Sequence, residues 1–522
     1  MKKNKFGQYF TPEMVADFMV TLANVSEETK ILEPSAGEGI FVKCLKARNC
    51  KNITPYEIDN GIIGAYKDIA ICESFISAQI STKFNAVIGN PPYIRWKNLE
   101  DELKKELANC DLWNTYCNSL CDYLHIFIIK SIELLELGGC LVFICPEYWM
   151  NTTNSTTLRN YMISNGYFSD IYHFSETPIF NGVSTSTVIF KYVKDLTNHA
   201  SKINVAMYRS KERLTPEILN NLIDRKAMAN VDYFRISQFK ENGRWRLAND
   251  DTIERLQVIE NVCTANKWPP ETKMSRIGDV CDIGNGMVSG LDKAFQIDAS
   301  TLNTDEKNAT MNVIKAKDIL PYQYVKTTTY INIPPDISDE SYVIRYYPNF
   351  YFHLKKYKPD LETRYSYGKD LKYWHWAFRR SESLFAKNEP RIFVPCKERI
   401  SNKDHFRFAY VPQGIYPTQD VTALFPLKTT KESIEYILAW LNYPFVFEWT
   451  EVNGIIKGNI VEFSEKPLSS IPFLSINFND DAEINLHDEI TALSKDAVNG
   501  NRSTKINDLF GYLIAHKRKH MI

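Results

Sequence analysis

The chain contains no apolar run of about 18 residues free of charge, so no segment is long enough to cross a bilayer as a helix. Its opening, Met1-Lys2-Lys3-Asn4-Lys5, is basic but runs into polar sequence and lacks the apolar core of a secretory signal. A cytoplasmic location is therefore expected. The eleven cysteines form no Cys-x-x-Cys pair, so nothing suggests zinc chemistry. Cys117, Cys121 and His125 recur every four residues. That spacing places them on one helix face, where a buried stripe is expected rather than a metal site, and no metal is expected elsewhere. The glycines never fall as G-x-G-x-x-G, and no Lys-Ser/Thr follows a glycine turn, which argues against a dinucleotide or a triphosphate as ligand. Repeats and low-complexity tracts are also missing. Charge is balanced, with 62 Lys and Arg against 63 Asp and Glu. The 522 residues, 44% hydrophobic, suffice for two or three domains with large cores.

The most informative segment that is present is Asn90-Pro91-Pro92-Tyr93, at the end of the run Phe84-Asn85-Ala86-Val87-Ile88-Gly89. Val87 and Ile88 suit a buried strand, and two prolines cannot continue a sheet ladder. The strand thus ends with an amide, a proline carbonyl and an aromatic ring at one rim. Asn90 Oδ1 and the Pro91 carbonyl can each accept one hydrogen of an exocyclic amine, while Tyr93 stacks on the attached ring. Upstream, Ile31-Leu32-Glu33-Pro34-Ser35-Ala36-Gly37-Glu38-Gly39 reads as a strand end and a glycine turn, followed by a helix over Glu38–Lys46. A strand, a glycine turn and a helix N-terminus make a cofactor cradle. A second short strand ends Tyr56-Glu57-Ile58-Asp59, and Glu57 follows Gly37 by twenty residues, the separation expected of an acid that binds ribose hydroxyls. A third strand is expected over 74–78. Taken singly, Glu33 and Glu57 read as readily as solvated strand-end acids; their order and spacing together carry the reading.

These motifs resemble those of the gamma-class S-adenosylmethionine-dependent DNA adenine-N6 methyltransferases, TaqI-like in domain order. Gly7-Gln8-Tyr9-Phe10-Thr11-Pro12 resembles the segment over the methionine end of the cofactor. On the resemblance, Glu33, Pro34, Ser35, Ala36, Gly37 and Gly39 hold the cofactor, with Glu33 near its sulfonium or amino group, and Glu57 with Ile58 lies at the ribose. Thr11 and Pro12 join this set, Asn90 to Tyr93 carry catalysis, and Asn90 also borders the cofactor. Gly138–Pro146 resembles the fifth strand. Pro178-Ile179-Phe180-Asn181-Gly182-Val183-Ser184-Thr185 resembles the loop whose ring packs on a flipped base, a role that falls on Phe180. One departure stands out. The family places an Asp after the third strand; here the position holds Ser74, flanked by Glu73 and Phe75. Glu73 or a backbone group takes the Asp role, and Phe75 stacks on the cofactor adenine.

Over 345–407 there are fifteen Lys or Arg and seven Asp or Glu, with aromatics interleaved, among them Tyr346, Phe352, Tyr365, Tyr367, Tyr373, Trp374 and Trp376. A basic, ring-rich stretch suits phosphate contact and shape reading of duplex DNA. Lys355, Lys356, Arg364, Lys372, Arg379, Arg380 and Arg399 are the expected contacts. A solvated surface over a Tyr-rich core is the competing reading.

Alternating strand and helix patterns up to residue 242 imply an α/β fold, a Rossmann-like class I methyltransferase domain with a mostly parallel seven-stranded sheet. A helical linker over 243–275 follows, with a helix at Asp251–Thr264 and a break at Lys267-Trp268-Pro269-Pro270. A mixed α+β target-recognition domain is expected over 276–485, entered by the glycine-rich 283–295, whose glycines would let a loop approach the DNA backbone. A helical tail covers 486–522. The expected function is transfer of a methyl group from S-adenosylmethionine to the 6-amino group of a flipped adenine in a restriction–modification system or as an orphan methylase. A cognate restriction endonuclease is a candidate partner, and a monomer reading an asymmetric site is expected. The alternative is a protein glutamine N5-methyltransferase, which uses a similar motif on another planar amide; the large basic second domain argues against it. A built-in nuclease is not expected, since Pro359-Asp360-Leu361-Glu362 lacks a lysine two residues on.

Overall fold

In the computed structural model, residues 10–520 are described, apart from 176, 181–185, 198–200, 211, 244, 264–273, 366–367, 369–370, 401–402 and 458. Gly7–Tyr9, Asn181–Thr185, Lys267–Pro270 and Tyr367 lie outside the described residues. Two units emerge, one running up to Ile253 and the other from Glu254 onward, with 457–459 grouped with the first.

The first unit is built on strands β1 (Ile31–Glu33), β2 (Ile53–Pro55), β3 (Phe84–Gly89), β4 (Leu135–Pro146), β5 (Gly166–His173), β6 (Thr187–Lys194), β7 (Ile203–Tyr208) and β8 (Val231–Ile236). They form one sheet in the order β2-β1-β3-β4-β6-β5-β7-β8. β1 to β4 are mutually parallel, β6 and β8 run the other way, and β5 pairs parallel with β7. Both faces of the central strands β1, β3 and β4 are covered, so these strands bury most of both side-chain sets. Ala86, Ile88, Val142 and Ile144 face a core with helices α1 (Glu13–Ala23) and α2 (Ile40–Ala47). The alternating Val87, Leu141 and Phe143 face a core with α5 (Tyr123–Leu134), which follows α3 (Asp101–Ala108) and α4 (Asp111–Tyr116).

The sheet departs from expectation in two ways. It has eight strands rather than seven, because β7 and β8 extend the edge beyond β5. No strand covers 74–78. Ala78 N–H donates back to the Ser74 carbonyl at 3.0 Å, and the carbonyls of Ile76 and Ala78 accept from Lys130 Nζ on α5 at 2.8 and 2.7 Å. With its carbonyls satisfied by a lysine, the segment needs no ladder; a single bridge, Tyr56 to Ile71, is all that remains of a third strand there.

The second unit is mixed α/β. A four-stranded antiparallel sheet orders Ala409–Val411, Arg391–Pro395, Val421–Pro426 and Cys281–Asn285, beside two three-stranded sheets. The helix expected in the linker, observed as Asp250–Val262, belongs to this unit's core through Leu256 and Val262, and Glu260 accepts from Trp449 Nε1 at 2.6 Å. Helix Asp481–Val498 runs through position 486, where the tail was expected to start, and its Glu483 forms a buried ion pair with Lys517 at 2.6 Å. Gly284 and Gly286, expected at a DNA-facing loop, pack inward: a Cβ on Gly286 would lie 1.8 Å from the Thr418 carbonyl.

Candidate active site

Parallel pairing fixes where the motifs meet. Leu32 pairs with Val87 and Glu33 with Pro55, so the segments after β1, β2 and β3 leave the sheet side by side. They open onto a cavity of about 230 Å³ at the carboxyl ends of the strands. Thr11, Pro34, Ser35, Ala36, Gly37 and Gly39 line it, as do Glu57, Ile58, Ser74, Phe75, Asn90, Pro91 and Pro92. Pro12, Glu33, Glu73, Tyr93 and Phe180 do not.

The glycine turn is shaped by backbone need. Gly37 and Gly39 hold φ of +56° and +81°, and a Cβ on Gly39 would sit 2.3 Å from the Tyr66 ring. Glu57 fastens the turn: Oε2 accepts from Gly37 N–H at 2.8 Å and Oε1 from Asp59 N–H at 2.9 Å. A carboxylate oxygen can accept more than one bond, so the same group can also meet hydroxyls.

Glu33 is fully buried, and neither of its oxygens has a hydrogen-bond partner of normal geometry. Burial, reinforced by the nearby Glu57, holds its carboxyl well above the usual range, and the Val42 amide offsets this only in part. A buried carboxyl kept without a partner is costly. A cationic ligand with N–H donors would relieve it, so the donor set fits S-adenosylmethionine. Phe75 is buried against Tyr56 and Phe127, with ring centroids 6.0 and 5.3 Å apart. Glu73 is exposed and does not line the cavity, so among the three candidates Ser74 and Phe75 are the ones at the cavity.

At the Asn-Pro-Pro-Tyr motif, Asn90 Nδ2 donates to Thr11 Oγ1 at 3.0 Å, which aims Oδ1 the other way. Ser35 Oγ donates to the Asn90 carbonyl at 3.0 Å and ties the first motif to the fourth. The Tyr93 hydroxyl contacts both Asn90 Oδ1 and the Ile144 carbonyl, the latter at 2.6 Å. One hydroxyl proton cannot serve both acceptors fully. An amine arriving at Oδ1 can therefore take its place while Tyr93 stays bonded to Ile144.

Phe180 is buried in the same core as Phe18 and Ile179. The neck of its loop is closed by a cluster the sequence did not single out. Ser175 N–H points at His173 Nδ1 at 3.3 Å, Ser186 Oγ lies 3.2 Å from Nε2, and Glu147 Oε2 bonds Nε2. Burial alone would raise the Glu147 carboxyl, but His173 and Ser186 bring it below the ordinary value. Tyr66, Tyr123 and Phe127 also line the cavity. Tyr123 and Phe127 carried a signal, two rings at i and i+4 on one helix, whereas Tyr66 ends a single 3₁₀ turn, Gly64–Tyr66, too short to show a pattern.

Among the expected DNA contacts, Lys355, Lys356 and Arg399 are exposed. Arg364 is not available in the same way. It donates to the carbonyls of Ser289 at 2.9 Å, Lys372 at 3.3 Å and His375, and burial lowers its pKa to about 10. Arg379 bonds Asn332 Oδ1, the Ile333 carbonyl and Glu382. Lys372 and Arg380 are half-buried, Arg380 over the Phe378 ring. Tyr373, Trp374 and Trp376 are core rings, while Tyr346, Phe352 and Tyr365 are exposed.

A glycine turn and two strand-end acids at the carboxyl rim of a mostly parallel sheet, with a strand-exit Asn-Pro-Pro-Tyr, define a class I methyltransferase. Residues 41–180 match the family profile described as Eco57I restriction-modification methylase. Over 498 residues the chain is 45% identical to the Type II methyltransferase M.HindII of Haemophilus influenzae, covering 94% of each protein. It is 42% identical over 492 residues to M.HincII, also of Haemophilus influenzae, covering 94% of this chain and 93% of the relative. Among solved structures, the Type IIL restriction-modification enzyme MmeI in complex with DNA shares the fold, with a TM-score of 0.61 at 11% identity over 96% of this chain and 71% of that one. The chain belongs to the Type II methyltransferases of restriction–modification systems.

Proposed function

We propose that the protein methylates the 6-amino group of an adenine within a short site in duplex DNA, with S-adenosylmethionine as donor, as the modification partner of a restriction endonuclease or as an orphan methylase. The first unit carries catalysis and the second reads the target. The observation that carries this reading is the shared rim, where Ser35 bonds Asn90 and Glu33 lies beneath the same strand ends.

A stacked adenine is out of reach of such a rim and has to rotate out, at a cost of roughly a few kcal/mol. Tyr93 and Phe180 recover part of that by stacking on the base. Asn90 Oδ1 and the Pro91 carbonyl accept the two amine hydrogens, which gives the nitrogen lone pair sp³ character. Thr11 holds the Asn90 amide in the orientation this requires. Glu33 and Glu57, with the turn at Gly37 and Gly39, would hold the cofactor, which supplies an electrophilic methyl group. Positioning and electrostatics suffice for such a displacement, and no covalent intermediate is required.

Long-read sequencing of DNA from cells expressing the chain, beside an Asn90→Ala control, tests the reading. One methylated-adenine motif absent from the control is expected, and it also gives the recognition site. Methylated cytosine would overturn the adenine assignment. No modified base in either sample, with methyl transfer to protein in extract, would overturn the DNA substrate.

A further inference from the structure

We propose that Cys117, Cys121 and His125 form a site for a soft divalent cation, zinc being the metal that this sulfur and imidazole set suits. Their four-residue spacing points to one helix face, but the helix is broken there. α4 stops at Tyr116 and α5 starts at Tyr123, so both cysteines stand on the connecting loop and His125 in the first turn of α5. A shared helical stripe therefore does not account for their meeting. The two sulfurs and a ring nitrogen nonetheless all lie within 4.8 Å of one another. Zinc bonds of about 2.3 Å to sulfur and about 2.0 Å to nitrogen imply ligand separations of about 3.5–3.8 Å in a tetrahedron. Closing the cluster on an ion thus needs movements of at most about an ångström.

The surroundings suit a ligand set. Cys121 and His125 are buried and Cys117 is half-buried, which leaves one side from which a water can complete four ligands. Ser155 Oγ lies 3.0 Å from His125 Nε2 and is itself 2.8 Å from Thr152 Oγ1, the kind of outer partner that orients a metal-binding imidazole.

The site also has a reason to be where it is. Tyr123 N–H donates to the Ile94 carbonyl at 2.9 Å, and Arg95 pairs with Asp122 as a short antiparallel bridge. An ion held by 117–125 would pin the chain that leaves Asn90–Tyr93. Its part is to brace that exit; it takes none in the methyl transfer.

The test uses the full chain, purified under reducing conditions without chelator. Zinc close to one equivalent by elemental analysis is expected. After its removal, Co²⁺ titration should give tetrahedral d–d bands and a thiolate charge-transfer band that Zn²⁺ abolishes. Cys117→Ser should weaken Co²⁺ binding by more than about a hundredfold, and Ser155→Ala by about tenfold, while Cys72→Ser, at an exposed lone cysteine, leaves it unchanged. Folding of each variant is checked by its far-ultraviolet circular dichroism. Substoichiometric zinc with no cobalt bands in the folded protein overturns the site. So does loss of two titratable thiols on mild oxidation, restored by reductant and insensitive to Zn²⁺, which would make the pair a disulfide instead.

Discussion

The cofactor rim of the first unit and the basic segment of the second were both conspicuous in the sequence, and they read out very differently. At the rim, four short motifs within the first 93 residues converge because parallel register leaves no choice: Leu32 beside Val87 sets Pro34 against Gly89 and Ser35 against Asn90. In the basic segment the residue types promise one surface, and the structure divides them. Arg364, Arg379 and Arg391 donate to backbone carbonyls, and Arg407 pairs with the buried Glu398. Lys355, Lys356 and Arg399 remain exposed. A motif tied to a strand end carries its own coordinates, whereas a local charge excess does not say which cations the fold keeps for itself.

The sharpest way to break this contrast is at the rim. Asn90→Ala should reduce single-turnover methyl transfer about 100- to 1,000-fold while cofactor affinity changes little; normal turnover would remove the amide from the chemistry. Glu33→Gln comes next. Loss of a charge-assisted contact should weaken cofactor binding about 10- to 100-fold in equilibrium titration. The same substitution has a second signature. Glu33 binds its proton more tightly folded than unfolded, so the cofactor-free protein loses stability as pH climbs from the ordinary value of 4.5 toward the raised folded value. Glu33→Gln removes that loss, so at neutral pH its cofactor-free Tm should lie above wild type. A lower Tm together with intact affinity would make Glu33 a core residue only. Phe180→Ala should weaken capture of the flipped base about tenfold, the size of one stacking contact. Unchanged fluorescence of a base analogue at the target position would leave Phe180 with the core role its burial already gives it.

What was legible follows physical lines. Asn90–Tyr93, the glycine turn and Glu57 were readable because prolines and positive-φ glycines constrain backbone locally, and local constraint is what a single sequence records. The helix at 40–47 and the buried strand at 84–89 were legible from the pattern of apolar residues. The third strand was not, because Lys130, fifty residues on, satisfies the carbonyls that a ladder would have used. Tyr66 and the His173–Glu147 clamp were invisible for the same reason: long-range packing gives each its role. In the basic segment, Trp374 and Trp376 read as part of a ring-rich DNA-contacting stretch, yet their indole N–H groups bond the Ile337 and Ile331 carbonyls inside the core.

The smallest predicted effect is the one that tests the division within the second unit. If Lys355 and Lys356 touch phosphates, each should contribute close to one released counterion. The double variant Lys355→Ala/Lys356→Ala should then flatten the dependence of log Kd on log salt by about two, with little change in Tm. Arg364→Gln should do the reverse. It leaves the Ser289 and His375 carbonyls short of a charged donor, so a stability loss of about 1–3 kcal/mol is expected in denaturant unfolding, with an unaltered salt slope. The two variants differ in kind, so the comparison does not depend on either magnitude alone. If Arg364→Gln flattened the slope as much as the lysine pair while unfolding at the wild-type midpoint, its carbonyl bonds would be incidental, and the local charge excess would have been the better guide to the DNA-binding face.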